Sequence, residues 1–517
     1  MSTANVTINQ PAPGRAEPPR EGHQVRAVLD LARFEARELL LQVPLLLTFA
    51  LYVGYVALGF MDRDGMDDYP VLNTIDRQTQ TEPLLFAMAV FICCNAAALR
   101  SRKHNTVQQF DVLAMEPWRR TLAHVLSVVP YAALTALVVA GEFGREALKP
   151  GAIGHGSVGE LAAGPLTVLL AGVLGVLLAR LLPSSFIPIL VSIPLYLLFV
   201  LASDAENAGR WEGWLSPIVF VARTGGDPVP SDLLGRPAGW HALYATGLCA
   251  VLACVALLRA GGRTKAVKAA TVLALAVTVI GALGQLPSDA KALDAARRTA
   301  AATPQKVQSC AQHGRSTYCS FDEWSTVRSD WAEVVDRVQS AAGGTAAQAR
   351  LTVRQRVYID DQVEVDGDLD PSSTPGEVTV GTRWGGNRVP EFAVGAAVVL
   401  VGGSEDMTTQ ELCDDARAVT VIWLVLSTDP TPTDTFRNLR LDDSLSGSAQ
   451  VLAPTNGLSL TGPQTTVIRE LLERPRAAMA ARVKAHWAQL TSASTTTAQA
   501  ARLLGVEVPK EAEKCEE

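Results

Sequence analysis

The chain has 517 residues, 48% of them hydrophobic but only 6% aromatic, and a formal net charge of −7. So mild an acidity, with no basic excess for phosphate contacts, argues against a nucleic-acid partner. The apolar content is unevenly spread. Up to about residue 287 uncharged stretches alternate with short charged loops, and from 288 onward charge is dispersed throughout. That contrast reads as a membrane half followed by a soluble half.

Residues 1–24 are polar and proline-rich and are expected to be a disordered tail. In QVRAVLDLARFEARELL, residues Val25, Val28, Leu29, Ala32, Ala36, Leu39 and Leu40 line one helical face. Arg26, Asp30, Arg33 and Arg37 line the other, while Leu31 and Phe34 blur the stripe. This is the pattern of an interfacial helix running into a first span, although a plain extension of that span fits the same residues.

Seven segments then approach the ~20 apolar residues that cross a bilayer as helix. They are Leu39–Met61, Pro83–Leu99, Ala123–Gly141, Leu161–Ala179, Leu181–Ser203, His241–Leu258 and Ala269–Pro287, and none contains Asp, Glu, Lys or Arg. One such charge at mid-membrane costs about 2.5–3.5 kcal/mol, so seven clean segments are a specific signal. The first of them has no small-residue cleavage site and is read as a retained helix.

The loops differ in charge. Residues 100–122 carry Arg100, Arg102, Lys103, Arg119 and Arg120 against Asp111 and Glu116. The loop after the sixth segment carries Arg259, Arg263, Lys265 and Lys268 with no acid, whereas 62–82 holds six acids against Arg63 and Arg77. The positive-inside rule places the basic loops in the cytoplasm. Seven spans then put the N-terminus inside and residues 288–517 outside the cell membrane.

Within the first basic loop, Thr106-Val-Gln-Gln109 fits a capping box. Val107, Phe110, Leu113 and Ala114 follow on one face, and Pro117 ends the run. The spacing predicts a helix over 106–116 lying outside the bilayer, with an apolar face for a partner and basic residues at both ends. A solvated connector with one helical turn fits the same residues.

LARFEARELL, an outer loop, a second span and then NTVQQFDVLAMEPWRRTLAHVL together resemble the permease subunit of ABC-2-type exporters over roughly residues 25–260. Asn105 and Thr106 stand where that family commonly has Gly-Thr, and Leu113, Pro117, Arg119 and Arg120 keep its pattern. The resemblance implies that 106–116 is the coupling helix, with Thr106, Val107, Phe110, Leu113, Pro117, Arg119 and Arg120 contacting a separate ATP-binding subunit. It also implies an interfacial helix marked by Arg33, Phe34, Glu35 and Arg37. One set of six core spans is half of what the family uses, so a second permease copy or homologue is implied. The chain has no G-x-x-x-x-G-K-[ST], hence no phosphate cradle of its own.

The fold class expected is a polytopic α-helical membrane protein, six core spans plus a seventh, with a C-terminal soluble α+β, helix-rich domain. The divisions are 1–24, a permease domain over 25–260, a loop and seventh helix over 261–287, and an extracytoplasmic domain over 288–517. In that last part 322–339 reads as helix, with Trp324, Val327, Trp331 and Val335 on one face. LTVRQRVYI (351–359) reads as a strand that EVTVGTR (377–383) pairs with. Residues 408–426 and 469–490 read as helix, the latter interrupted by Pro475. Cys310 and Cys319 flank AQHGRSTY, where a disulfide is ordinary in an oxidising compartment and two free thiols are the alternative. Nothing in the sequence decides whether Cys413 and Cys515 pair. TTTAQAARLLGVEVPK resembles half of a helix-turn-helix, but the domain is not basic enough for phosphate contacts, and a small capped helix is expected.

There is no H-E-x-x-H or G-x-S-x-G, and the domain's two histidines, His313 and His486, lack metal-ligand neighbours. No catalytic, cofactor-binding or metal residue is therefore assigned. The pair Cys310 and Cys319, then CDDARAVTVIWL, then AHWAQLTSASTTTAQAARLLGV together resemble the C-terminal extension of actinobacterial permease-like membrane proteins, which supplies no activity. The expected function is a permease subunit of an ABC-type exporter. The alternative is a membrane-anchored extracytoplasmic sensor or assembly protein.

Overall fold

A computed structural model describes residues 21–61, 65, 68–103, 115–182, 184, 186–202, 227–235, 237–286, 290–358, 369–410 and 412–510. The molecule is mostly helical, with a small sheet confined to its C-terminal part. Five helical stretches are long and apolar enough to cross a membrane: Leu72–Arg100, Pro117–Ala147, Val158–Leu181, Ala238–Arg259 and Lys265–Gly284. A sixth is a pair, His23–Leu40 and Val43–Gly59, bent by 73°.

That bend corrects the first segment. Helix α1 (Glu21–Leu40) stops and α2 (Val43–Gly59) begins after Gln42, with Pro44 in its first turn, so the span starts at Val43 rather than Leu39. Pro44 lacks an N–H and tolerates only a helix start. The second span reaches further back than its apolar core, because α3 (Leu72–Thr81) leads almost without interruption into α4 (Leu84–Lys103). Polar α3 lies in 62–82, which the charge pattern makes a loop; its Asn73, Asp76, Thr79 and Gln80 are all buried. The third, α5 (Pro117–Leu126) followed by α6 (Val129–Ala147), also overruns its predicted limits.

Helix α7 (Val158–Leu181) is the axis of the bundle and packs on α3, α4, α5, α6 and the later α9 (Ala238–Arg259). Its glycines allow this. A Cβ on Gly175 would lie 2.3 Å from the Phe91 carbonyl oxygen, and one on Gly172 2.3 Å from Val128. Asn95 Nδ2 donates to the Gly175 carbonyl at 3.0 Å, tying α4 to the same spot. Helix α8 (Ile187–Ala202) follows a short turn and contributes 16 residues, all uncharged and all but Ser192 apolar. α9 and α10 (Lys265–Gly284) form the closest hairpin, with Gly281 against the Tyr244 backbone and Gly247 against Thr278.

Beyond α11 (Ala290–Ala302), a four-stranded sheet has the order β1-β2-β3-β4. β1 (Ser309–His313) and β2 (Ser316–Ser320) are antiparallel, with Cys310 opposite Cys319 and disulfide-bonded to it. Helix α12 (Arg328–Ala341) crosses over to β3 (Thr352–Gln355), which pairs in parallel with β2 and with β4 (Glu377–Val380). The predicted partnership of the last two strands is therefore found, over four residues of the first. Trp324, Val327, Trp331 and Val335 are buried together as the helical spacing predicts.

Helices α13 (Arg388–Gly402) and α14 (Ala416–Ser427) stack behind the sheet. The stretch 408–426 is helical only from Ala416, because Asp414 has φ 52° and the Asp415 side chain caps the new helix by accepting from Arg417 N. After α15 (Pro432–Leu439), the hairpin of β5 (Ala449–Val451) and β6 (Leu458–Leu460) leads to α16 (Gly462–Glu473) and α17 (Arg476–Ala485), separated at Pro475 as expected. The suspected helix-turn-helix is a core helix, α18 (Thr497–Leu504). It is closed by a Thr496–Gln499 capping box and by Gly505, with Ala500, Ala501 and Leu504 buried. Cys413 is also disulfide-bonded; Cys515 lies outside the described residues.

Candidate functional site

The predicted coupling residues Thr106, Val107, Phe110 and Leu113 lie outside the described residues; their two flanks lie inside. Upstream, α4 delivers Arg100 to its last turns. Arg100 Nη2 stands 3.6 Å from Glu35 Oε2, and Nη1 stands 3.6 Å from Glu38 Oε2, so one guanidinium spans two carboxylates of α1. Downstream, α5 packs along the same helix, where Val28 and Ala32 of α1 close over Ala123. His124 Nδ1 lies 3.9 Å from Glu35 Oε2, and Tyr131 Oη donates to the Ala36 carbonyl at 2.5 Å. Both ends of the 104–114 segment are thus fastened to α1.

Pro117 does not close a helix here but opens one, at the first position of α5, where its missing N–H costs nothing. Arg119 sits one turn in, with Nε donating to Glu116 Oε2 at 3.0 Å and its guanidinium 4.9 Å from the Trp118 ring centroid. Trp118 Nε1 donates to the same oxygen at 2.6 Å. The bonds from Arg119, then from Trp118, hold the Glu116 carboxyl below the usual carboxylate range. The second basic loop joins this group, since a Cβ on Gly262 would lie 3.0 Å from Trp118 Cβ. The two positive loops therefore meet at one end of the bundle.

On α1, Arg33, Phe34 and Arg37 are exposed, whereas Glu35 is buried at 8%. Of the predicted apolar face, Val28, Ala32, Ala36 and Leu39 pack inward, but Val25, Leu29 and Leu40 remain exposed. The apolar stripe is wider than the protein contact. Its uncovered margin borders the charged row, as a helix lying in an interface requires. Burial of Glu35 on the packed side was invisible in the pattern, where a Glu among Arg residues reads as solvated. Arg100, at the end of an apolar run, was the available hint.

The opposite end of the bundle carries the sheet-containing part. Val71, Ile153, Val229, Leu233 and Leu234 join its apolar core, and Val71 and Ile153 form a β-bridge. Glu323 is the polar centre of this junction: Ser231 N donates to Oε1 at 2.8 Å and Asn73 Nδ2 to Oε2 at 3.3 Å. Asn73 Nδ2 also donates to the Val229 carbonyl at 3.0 Å. Arg383 pairs with Asp227, and Arg297 Nε donates to the Leu233 carbonyl at 2.9 Å. None of these residues was singled out in the sequence, because a contact between a short loop and a distant domain leaves no periodicity. No protein-family model, curated protein or solved structure matches this chain.

Proposed function

We propose that the chain is the permease subunit of an ABC-2-type exporter, driven by a separate ATP-binding subunit that docks on residues 106–116. The observation that carries the reading is the double attachment of that segment's flanks to α1, through Arg100 with Glu35 and Glu38 on one side and Ala123 with Val28 and Ala32 on the other. A displacement imposed on the segment reaches the interfacial helix by both routes and, through the bend at Gln42, the first span. A ligand moves such an equilibrium only by its differential affinity for the two arrangements, which nucleotide-dependent closure of an ATPase pair would supply.

In this reading α8 completes a set of seven spans. The N-terminus and both basic loops are cytoplasmic, residues 288–517 are extracytoplasmic, and a second permease copy or homologue completes the transporter. The meeting of the two basic loops at the end opposite the sheet-containing part supports that arrangement. The other reading, a membrane-anchored sensor or assembly protein, draws on the continuity of the C-terminal core with the bundle's loops.

The discriminating experiment is affinity purification from native membranes. Wild type should bring down an ATP-binding-cassette subunit. Phe110→Asp combined with Leu113→Asp should lose it and abolish transport while the chain remains folded. Undiminished co-purification would remove the coupling assignment, and a wild type that captures no ATPase would favour the anchor.

A further inference from the structure

In the C-terminal part a cleft of ≈250 Å³ opens between α12, the first turns of α13, the end of α14 and α15. Its floor is Val334 and Val338 of α12, Val389 and Ala393 of α13, and Val425 of α14. Among the described residues that line it none is aromatic. The cleft therefore offers no stacking platform for a sugar or a nucleobase, while a branched aliphatic group meets a wall of its own kind.

Polar side chains surround this floor, and most of them are uncommitted. Arg337, Asn387 and Asn438 stand exposed at the rim, and their side chains make no hydrogen bond or ion pair with any described residue. Asp429 uses one carboxylate oxygen, Oδ1, to accept from Thr431 N at 2.7 Å, which fixes the turn after α14. Its Oδ2 accepts from no described residue. An exposed side chain without a partner is ordinary, but a withdrawn one is not. Thr435 lines the cleft, is only 9% exposed, and its hydroxyl has no partner among the described residues. Polar groups so far removed from bulk water are nearly always hydrogen-bonded, so this hydroxyl is left for whatever enters the cleft.

Arg337 is the one cation and Asp429 the one acid among the described lining residues, and no ion pair joins them. A solute that is only an anion meets Asp429, and one that is only a cation meets Arg337; a solute carrying both charges suits each. We infer that this cleft binds a free aliphatic α-amino acid. The carboxylate goes to the Arg337 guanidinium, the ammonium to the open Asp429 oxygen and the branched side chain to the valine floor. Thr435 Oγ1 and the two carboxamides complete the hydrogen bonds. A volume of ≈250 Å³ suits a solute of that size and excludes a folded partner. The turn that bears Asn387 also touches the bundle, since a Cβ on Gly65 would lie 2.8 Å from Gly386 Cα. Binding here needs neither an ATPase nor transport, so the site stands or falls apart from the exporter reading.

The test is saturation-transfer difference NMR of L-leucine with the purified full-length chain in nanodiscs, titrated into the millimolar range. Wild type should give a saturable signal, strongest at the leucine methyls, and L-isoleucine should displace it. 4-Methylpentanoate, which lacks the ammonium, and 3-methylbutylamine, which lacks the carboxylate, should each compete at least about tenfold less well. Arg337→Gln should weaken binding at least about tenfold, and so should Asp429→Asn, which keeps an oxygen for Thr431 N. Thr435→Val, which preserves the volume of the withdrawn side chain, should weaken it about fivefold. Absence of a saturable signal, equal affinity in wild type and all three variants, or displacement by either singly charged analogue as effective as by L-isoleucine overturns the site.

Discussion

Arg440 is the most connected single side chain of the C-terminal part. It is fully buried and donates to Asp442 Oδ1 at 3.1 Å, Thr465 Oγ1 at 3.0 Å, Ser444 Oγ at 3.0 Å and the Ser446 carbonyl at 2.9 Å. It thereby ties the turn after α15 to α16. Replacing it with Ala orphans several acceptors at once, and we expect a loss of at least about 3 kcal/mol in urea unfolding followed by tryptophan fluorescence. Its hydrogen bonds hold the Asp442 carboxyl down at about 2. A carboxyl lowered on folding adds stability above its unfolded value, and that stability is lost as pH falls toward the folded one. Stability should therefore drop between about pH 4 and about pH 2 in wild type, with a shallower drop in Asp442→Asn. The sequence offers Arg440 as one more charged residue near a turn, and nothing in its neighbours says that it is the one turned inward.

Among the elements, the glycines of α7 separate close packing from mere helix propensity. Gly175→Ala would drive a Cβ to 2.3 Å from the Phe91 carbonyl and displace the Asn95 bond, whereas Gly54 of α2 has nothing within 4 Å. We expect Gly175→Ala to lower the thermal midpoint of the bundle clearly. Gly54→Ala should leave it unchanged or raise it, by the ~0.5–1 kcal/mol that alanine gains over glycine in a helix. Either substitution reads the same in the sequence. What was legible were the apolar helices themselves, because charge is excluded from hydrocarbon so strongly that it marks their ends. The α12 face and the Pro475 break were legible for a related reason, since periodicity and proline act locally. Helix α3 was not legible, because its buried face is made of Asn73, Asp76, Thr79 and Gln80. Asn73, Asp76 and Gln80 find partners far away in sequence, such as Ser157 N on Asp76 Oδ2 at 2.8 Å, while Thr79 donates to the Asp76 carbonyl one turn back. The early start given to α14 failed on a left-handed aspartate, which no pattern of hydrophobicity reports.

For the molecule as a whole, two ends of one bundle differ in kind. One gathers Arg100, Arg119, the basic turn at Gly262 between α9 and α10 and the exposed charged row of α1. The other is fused to the C-terminal core through Val71, Ile153, Val229 and Glu323. The disulfide between Cys310 and Cys319 stands on the second end, as an oxidising compartment would have it. The junction was beyond the reach of sequence reasoning, since each of its loops is too short to carry a signal. The charge asymmetry between loops was within reach, and it is the foundation of the orientation proposed. The direct test uses single cysteines at positions 110 and 333, in a background whose eight native cysteines are replaced, labelled in intact cells with a membrane-impermeant maleimide. Position 333 should react at once, and position 110 only after the membrane is opened. The opposite order, or equal reactivity at both, would place the docking segment on the wrong side for an ATPase and contradict the account.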